Sequence, residues 1–224
     1  MRVVAVTHGP NVGPGVFGAA VEEAGHELEE WCVPLGAAPP DGADAYFVFG
    51  GAMHPDQDEH HPWLADEHRF LVAALERGTP VFGVCLGAQL VARAAGAAVR
   101  PAPEPEVGWV PVELTEAAAE DPVFASVPSR FDAFEWHHYT YDVPAEATEL
   151  ARSATCTQAF RLANAWAIQF HAEVTEPQIE EWLLNDHAEV PDVAELRAAT
   201  RRHMGAWNRL GKQLARSFLE AAAG

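Results

Sequence analysis

Gly83-Val84-Cys85-Leu86-Gly87-Ala88-Gln89-Leu90 (GVCLGAQL, residues 83–90) puts a cysteine where two patterns meet. Before it, Thr79, Pro80, Val81, Phe82 and Val84 read as a short buried strand. After it, Gly87, Ala88, Gln89 and the run LVARAA read as a helix ending at Gly96. A strand that turns at once into a helix is the repeating unit of a parallel α/β sheet. The stretch also has the form G-x-nucleophile-x-G. So tight a turn pushes its central side chain out above the sheet, and flanking glycines remove the Cβ atoms that would clash. The helix N-terminus presents unpaired N–H groups and a partial positive charge, which favour a thiolate. The N–H of Leu86 can point at a developing oxyanion. Taken alone, the motif fits a small buried cysteine in a glycine-rich corner equally well, so a base elsewhere has to decide.

The flanking sequence continues the alternation. RVVAVTH (2–8) reads as a buried strand, VFGAAVEEAG (16–25) as a helix, HELEEWCV (26–33) as a second strand and AYFVFG (45–50) as an apolar strand stopping at Gly50-Gly51. PWLADEHRFLVAALERG (62–78) is an amphipathic helix with Leu64, Phe70, Leu71, Ala74 and Leu75 near one face. Pro62 suits its first turn and Gly78 its end. These elements predict an α/β fold, an open and mostly parallel sheet flanked by helices. Between 97 and 170 strands dominate, as in WVPVELT, RFDAFEW, TELARSA, QAFRLA and AWAIQF, which predicts an antiparallel strand portion joined to that sheet. A helical C-terminal extension covers about 175–224. Capping pairs Thr175/Gln178 and Asp192/Glu195 open its helices, and Val193, Leu196, Trp207, Leu210, Leu214 and Phe218 form a core stripe. No repeat or linker interrupts the chain, so residues 1–224 are expected to form a single domain.

The base is expected at the end of AWAIQF, in His171-Ala172-Glu173. Residues i and i+2 of an extended segment point to the same side, so Glu173 can accept from one ring nitrogen of His171. The other nitrogen is then free to take the Cys85 proton, giving a Cys-His-Glu triad. Gly50-Gly51 lies at the carboxyl end of a strand, where open α/β sheets bind ligands, and the N–H of Gly51 can be a second oxyanion donor beside Leu86.

Strand-Gly-Gly, GVCLGAQL and QFHAE, in this order and spacing, resemble the class I (triad-type) glutamine amidotransferases, and among them the stand-alone proteins similar to the glutaminase domain of GMP synthase. The likeness runs from about residue 40 to about 175 and includes PWL, VGWVPVELT and EWHHYT. It implies the flavodoxin-like fold of that family, a glutaminase reaction and a γ-glutamyl-thioester on Cys85. It further implies that Gln89 helps hold the glutamine side chain, and that backbone around His138 and Tyr139 holds the α-carbon groups. Two departures stand out. The family's His-Pro-Glu is His-Ala-Glu here, and the His-Gly-Asp often found after the tryptophan is His137-His138-Tyr139.

The expected reaction is hydrolysis of the γ-amide of glutamine, with ammonia passed to a separate synthetase or acceptor subunit. An alternative is self-sufficient hydrolysis of a small γ-glutamyl amine. An alternative of another class is a dinucleotide-binding protein that uses Gly13-Pro14-Gly15-Val16-Phe17-Gly18, a match to G-x-G-x-x-G set further from its strand than the fingerprint requires. MHPDQDEHH (53–61) is expected to be a solvated acidic loop beside the site rather than a metal centre, and Trp136-His137-His138 part of the pocket wall. No cofactor and no metal are expected.

The 33 acidic residues against 14 basic ones, a formal charge of −19, disfavour partnership with nucleic acid or an anionic membrane. The single lysine, Lys212, leaves none for a P-loop. Cys32, Cys85 and Cys156 lie far apart and suit reduced thiols. MRVVAV enters a strand pattern directly, and no apolar run reaches the ~18 residues of a membrane span. A soluble cytoplasmic protein is therefore expected.

Overall fold

The computed structural model describes residues Met1–Gly224. Strand β1 (Arg2–Thr7) shows why the run VVAV is uninterrupted. Val3 and Ala5 enter one hydrophobic cluster, Val4 and Val6 another. Successive strand side chains point to opposite faces, so a sheet covered on both faces needs apolar residues at every position. The chain continues through α1 (Gly15–Glu23), β2 (Glu27–Cys32), β3 (Ala45–Val48), α2 (Trp63–Glu76), β4 (Val81–Val84) and α3 (Leu86–Ala94). Strands β5 (Val99–Leu114), β6 (Arg130–Tyr141), β7 (Thr148–Arg152), β8 (Thr157–Leu162) and β9 (Ala165–Ile168) follow, then helices α4 (Glu176–Asp186) and α5 (Val193–Ala223).

The nine strands form one sheet in the order β2-β1-β3-β4-β9-β8-β7-β5-β6. The first five are mutually parallel, and the pairings from β9 to β6 are antiparallel. Both halves of the expected α/β sheet are therefore present. Helices α1 and α5 cover one face, α2 and α3 the other. On the first face Phe17, Phe47, Phe82 and Phe218 pack with ring centroids 5.0 to 5.8 Å apart, mostly edge to face. The apolar stripe of α5 is core, as its spacing predicts. Leu196, Trp207, Leu214 and Phe218 are buried, with Val193 and Leu210 packed at its margin.

Two strands outrun their sequence signals. Strand β5 begins at Val99 instead of Trp109, and its ladder with β6 loses register between Pro101 and Glu106. Prolines 101, 103 and 105 cannot donate to a ladder, which hides the strand in the sequence. Strand β6 extends through His137-His138-Tyr139 because Val99–Pro101 pair with Tyr139–Tyr141. At the C-terminal helices, Gln178 Oε1 accepts from the Thr175 N–H at 3.0 Å, and Asp192 Oδ1 accepts from the Glu195 N–H at 2.9 Å.

Candidate active site

Four neighbouring parallel strands deliver residues to one place. His8 follows β1, Phe49-Gly50-Gly51 follow β3, Cys85 follows β4, and Gln169-Phe170-His171 follow β9. The strand order reverses between β1 and β3, and open α/β sheets bind ligands at such a point.

Cys85 sits at φ 52° and ψ −109°, in the sharp turn expected between strand and helix. Its N–H donates to Ile168 O (2.9 Å), and its carbonyl accepts from Gln89 N–H (3.1 Å). The two motif glycines mark backbone contacts. A Cβ on Gly83 would lie 2.7 Å from Gly87 O, and one on Gly87 would lie 2.0 Å from Val48 O. Cys85 Sγ is 3.8 Å from the carbonyl of Trp136 in β6.

His171 Nδ1 lies 2.8 Å from Glu173 Oε1, and both residues are buried. Burial alone disfavours a charged ring. Glu173 and, after it, Cys85 outweigh it, so the His171 pKa is held well above the ordinary histidine range. The carbonyls of this segment are taken one by one. Trp207 Nε1 donates to His171 O (2.8 Å), the Val16 N–H to Glu173 O (2.8 Å) and Asn208 Nδ2 to Val174 O (2.8 Å). Ala172 O packs against Gly211, where a Cβ would come within 2.0 Å. Helices α1 and α5 thus clamp the His-Ala-Glu backbone.

The same clamp explains the GPGVFG loop. Gly15 has φ +47°, and a Cβ there would lie 2.0 Å from Glu173 O. The leading N–H groups of α1 are engaged within the protein, Val16 to Glu173 O and Phe17 and Gly18 to Pro14 O. Gly15 needs no nucleotide to account for it.

A cavity of about 380 Å³ opens above the strand ends, lined by Cys85, His171, Gly51, Leu86, Gln89, His138 and Tyr139 among others. Glu173 lies behind His171 rather than in its wall. All the residues expected at the site are therefore brought together, but two expectations change in detail. Gln89 Nε2 donates to Tyr139 O (2.9 Å) and Gln169 Oε1 (3.2 Å), which leaves the Gln89 carbonyl oxygen as the group it can offer a ligand. The Tyr139 carbonyl also accepts from His137 Nδ1 (2.9 Å), so this oxygen is engaged twice within the protein. The Tyr139 ring instead stacks on His54, with centroids 4.2 Å apart. His137 is fixed by a buried layer beneath β6, where its Nε2 lies 3.1 Å from Glu106 Oε2 and Gln158 Nε2 donates to the same oxygen at 2.8 Å.

The 53–61 loop is latched rather than freely solvated. Arg93 donates to Pro55 O (2.6 Å) and to both Asp58 oxygens (3.2 and 2.9 Å), while His54 lines the cavity. The rim carries Asp186 and Glu189, and no Arg or Lys lines the cavity.

Sequence reasoning missed a second buried pair. His8 Nε2 lies 2.9 and 3.1 Å from the Glu67 oxygens, and its Nδ1 lies 2.9 Å from Gly50 O. A signal was present, because Glu67 stands between Leu64 and Leu71 on the apolar face of α2, where a lone carboxylate needs a partner.

The profile of the family described as glutamine amidotransferase class-I matches residues 22–189, three-quarters of the chain. The chain belongs to the class-I glutamine amidotransferase family. Among this family, the chain is 33% identical over 218 residues to a glutamine amidotransferase-like protein, YfeJ, of Salmonella typhimurium, covering 93% of this chain and 91% of that one. It is 32% identical over 142 residues to one subunit of the glutamine-hydrolyzing GMP synthase of Thermoplasma acidophilum (62% and 67% covered). It is 30% identical over 152 residues to a gamma-glutamyl-L-1-hydroxyisopropylamide hydrolase of a Pseudomonas species (63% and 51%). The crystal structure of a glutamine amidotransferase from Thermotoga maritima superposes with a TM-score of 0.90 at 26% identity, covering 98% of both chains. The glutamine amidotransferase fold read from the sequence is thereby shown. No helix is long and apolar enough to cross a membrane.

Proposed function

We propose that the protein hydrolyses the γ-amide of glutamine through a triad of Cys85, His171 and Glu173. The observation that carries this reading is the 2.8 Å His171–Glu173 contact behind a strained cysteine, with both reacting side chains on one open cavity. The Cys85 thiolate attacks the γ-carbonyl carbon, and the carbonyl electrons move onto oxygen. The N–H groups of Gly51 and Leu86 stabilise that oxyanion. The protonated His171 gives its Nε2 proton to the amide nitrogen, the C–N bond breaks, and ammonia leaves a γ-glutamyl-thioester on Cys85. His171 then takes a proton from water, the hydroxide attacks the thioester, and glutamate leaves as the thiolate returns. Glu173 keeps the ring oriented throughout. These steps use only this chain's side chains, its backbone and water. The Gln89 carbonyl oxygen suits the substrate's amide N–H, and the acidic rim suits a substrate ammonium group.

Kinship with a GMP synthase subunit supports a version in which the ammonia passes to a separate synthetase or acceptor protein. Kinship with a γ-glutamyl amide hydrolase supports a second reading, self-sufficient hydrolysis of a small γ-glutamyl amine. Assaying the isolated protein for release of ammonia from glutamine, and of amine from a panel of γ-glutamyl amines, decides between them. Faster turnover of one amine than of glutamine selects the hydrolase reading. Cys85→Ala is expected to abolish every hydrolysis the wild type shows, and residual turnover in that variant rejects the triad.

A further inference from the structure

The Gly50-Gly51 peptide poses a conformational problem. A Cβ on Gly50 would lie 3.0 Å from His171 Cε1, and one on Gly51 would lie 2.8 Å from Leu86 Cδ2 and 2.9 Å from His8 Cβ. His171 crowds one position and Leu86 and His8 the other, which favours a glycine at both. Successive glycines also leave the peptide between them free to rotate, since neither has a Cβ to restrict φ and ψ. An oxyanion donor that swings away is of no use, because the stabilisation depends on donors already in place. Something must hold this peptide.

We propose that His8, backed by Glu67, is a positioning residue that orients the Gly50-Gly51 peptide so that the Gly51 N–H faces the reacting carbonyl oxygen. The inference rests on the hydrolytic reading above. His8 Nδ1 lies 2.9 Å from the Gly50 carbonyl oxygen, and His8 Nε2 lies 2.9 Å from a Glu67 carboxylate oxygen. The Gly50 oxygen can only accept, so Nδ1 is the donor there, and with Glu67 ionised Nε2 donates as well. The Nδ1–H is then not lost to the other tautomer. A trans peptide sets its C=O and N–H on opposite sides. Holding the Gly50 oxygen toward His8 therefore turns the Gly51 N–H away from it. The holder is itself rigid. The His8 and Glu67 side chains are 0% exposed, and the imidazole stacks on Trp63 with centroids 5.6 Å apart and planes at 19°. Burial opposes the ring's charge, but Glu67 outweighs it and raises the His8 pKa above its usual value.

The test separates a role in catalysis from a role in stability. The informative variant is His8→Leu/Glu67→Leu, which removes the donor without stranding a buried charge. Its partner is His8→Asn, whose side-chain amide can still donate to the Gly50 oxygen. Turnover is measured with glutamine and γ-glutamyl-p-nitroanilide. Alkylation of Cys85 by iodoacetamide is followed in parallel, because displacement at a saturated carbon needs the thiolate but no oxyanion donor. The double variant is expected to lose about 10²-fold in kcat, the effect of one oxyanion donor, with KM changed less than about threefold and alkylation within about twofold of wild type. His8→Asn is expected to recover most of the kcat. Unchanged kcat in the double variant overturns the proposal while leaving the hydrolytic reading intact. Alkylation falling in step with turnover also overturns it, because His8 would then act on the thiolate or the fold. A wild-type protein that turns over neither substrate removes the hydrolytic reading, and this inference falls with it.

Discussion

Cys85 occupies a backbone conformation that its own Cβ resists. At φ 52° and ψ −109° it stands outside the regions open to L-residues, and such strain costs about 1–3 kcal/mol. The cost is tied to the Cβ and not to sulfur, so two substitutions separate structure from chemistry. Cys85→Ala keeps the strain, and Cys85→Gly relieves it at the expense of a looser unfolded chain. Both should be inactive, but the glycine variant should melt higher, by roughly 2–4 °C per kcal/mol gained in a chain of this size. Calorimetry of the pair checks this, and a glycine variant that melts lower rejects strain at the elbow. Glu173 offers a second test at this scale. Its carboxylate is the largest influence raising the His171 pKa against burial. In the wild type the alkaline fall of kcat/KM, where His171 loses the proton needed by the leaving amine, should lie above the ordinary histidine value of about 6.5. Glu173→Gln should move that fall to lower pH and reduce kcat by about 10²-fold or more. A pH–rate profile whose alkaline limb does not move removes Glu173 from the triad.

Among the elements, α5 does two things where its sequence announces one. The apolar stripe at helical spacing is legible as core, and Leu214 and Phe218 are core. Nothing in the spacing shows that Trp207 also ties the His171 carbonyl, that Asn208 ties Val174, or that Gly211 lets the helix backbone reach Ala172. Trp207→Phe keeps a ring and deletes the donor. It should cost about 1–3 kcal/mol, because a buried carbonyl is left unsatisfied, and it should lower kcat through a looser His171. Denaturant titration alongside steady-state kinetics tests this, and wild-type kcat at lowered stability confines Trp207 to the fold. Strands β5 and β6 show the converse case. Their prolines and histidines obscure the strand signal, and pairing between distant residues extends both strands anyway. The elbow was readable because strand, glycines and helix are adjacent in the chain. The clamp was not readable, because its partners are far apart.

For the molecule as a whole, a formal charge of −19 means that carboxylates repel one another across the surface. Raising sodium chloride from about 0.01 M to about 0.15 M shortens the screening length from about 30 Å to about 8 Å. The melting temperature should therefore rise over that range, and scanning calorimetry at constant pH checks it. A fall would place more stability in exposed ion pairs than in relief of repulsion. The His8–Glu67 pair adds a pH term of fixed sign. A histidine whose pKa is raised on folding contributes its full stability below the unfolded value of about 6.5 and loses it as pH rises through the folded value. Wild-type stability should accordingly decline from neutral to alkaline pH, and His8→Leu/Glu67→Leu should lack that part of the decline. Parallel slopes in the two proteins refute the pair's contribution.

By itself the chain's order of residues determined the alternation of strands and helices, the cysteine elbow, and a histidine and glutamate two residues apart on an extended segment. Each of these is a local pattern set by backbone sterics and side-chain periodicity, so neighbours in sequence suffice to reveal it. Only the tertiary structure decided that β1, β3, β4 and β9 lie side by side, that their ends meet over one cavity, and that a carboxylate of α2 stands behind His8. Those are contacts between residues tens of positions apart, settled by which apolar faces cover the sheet, and no short window of sequence contains both partners.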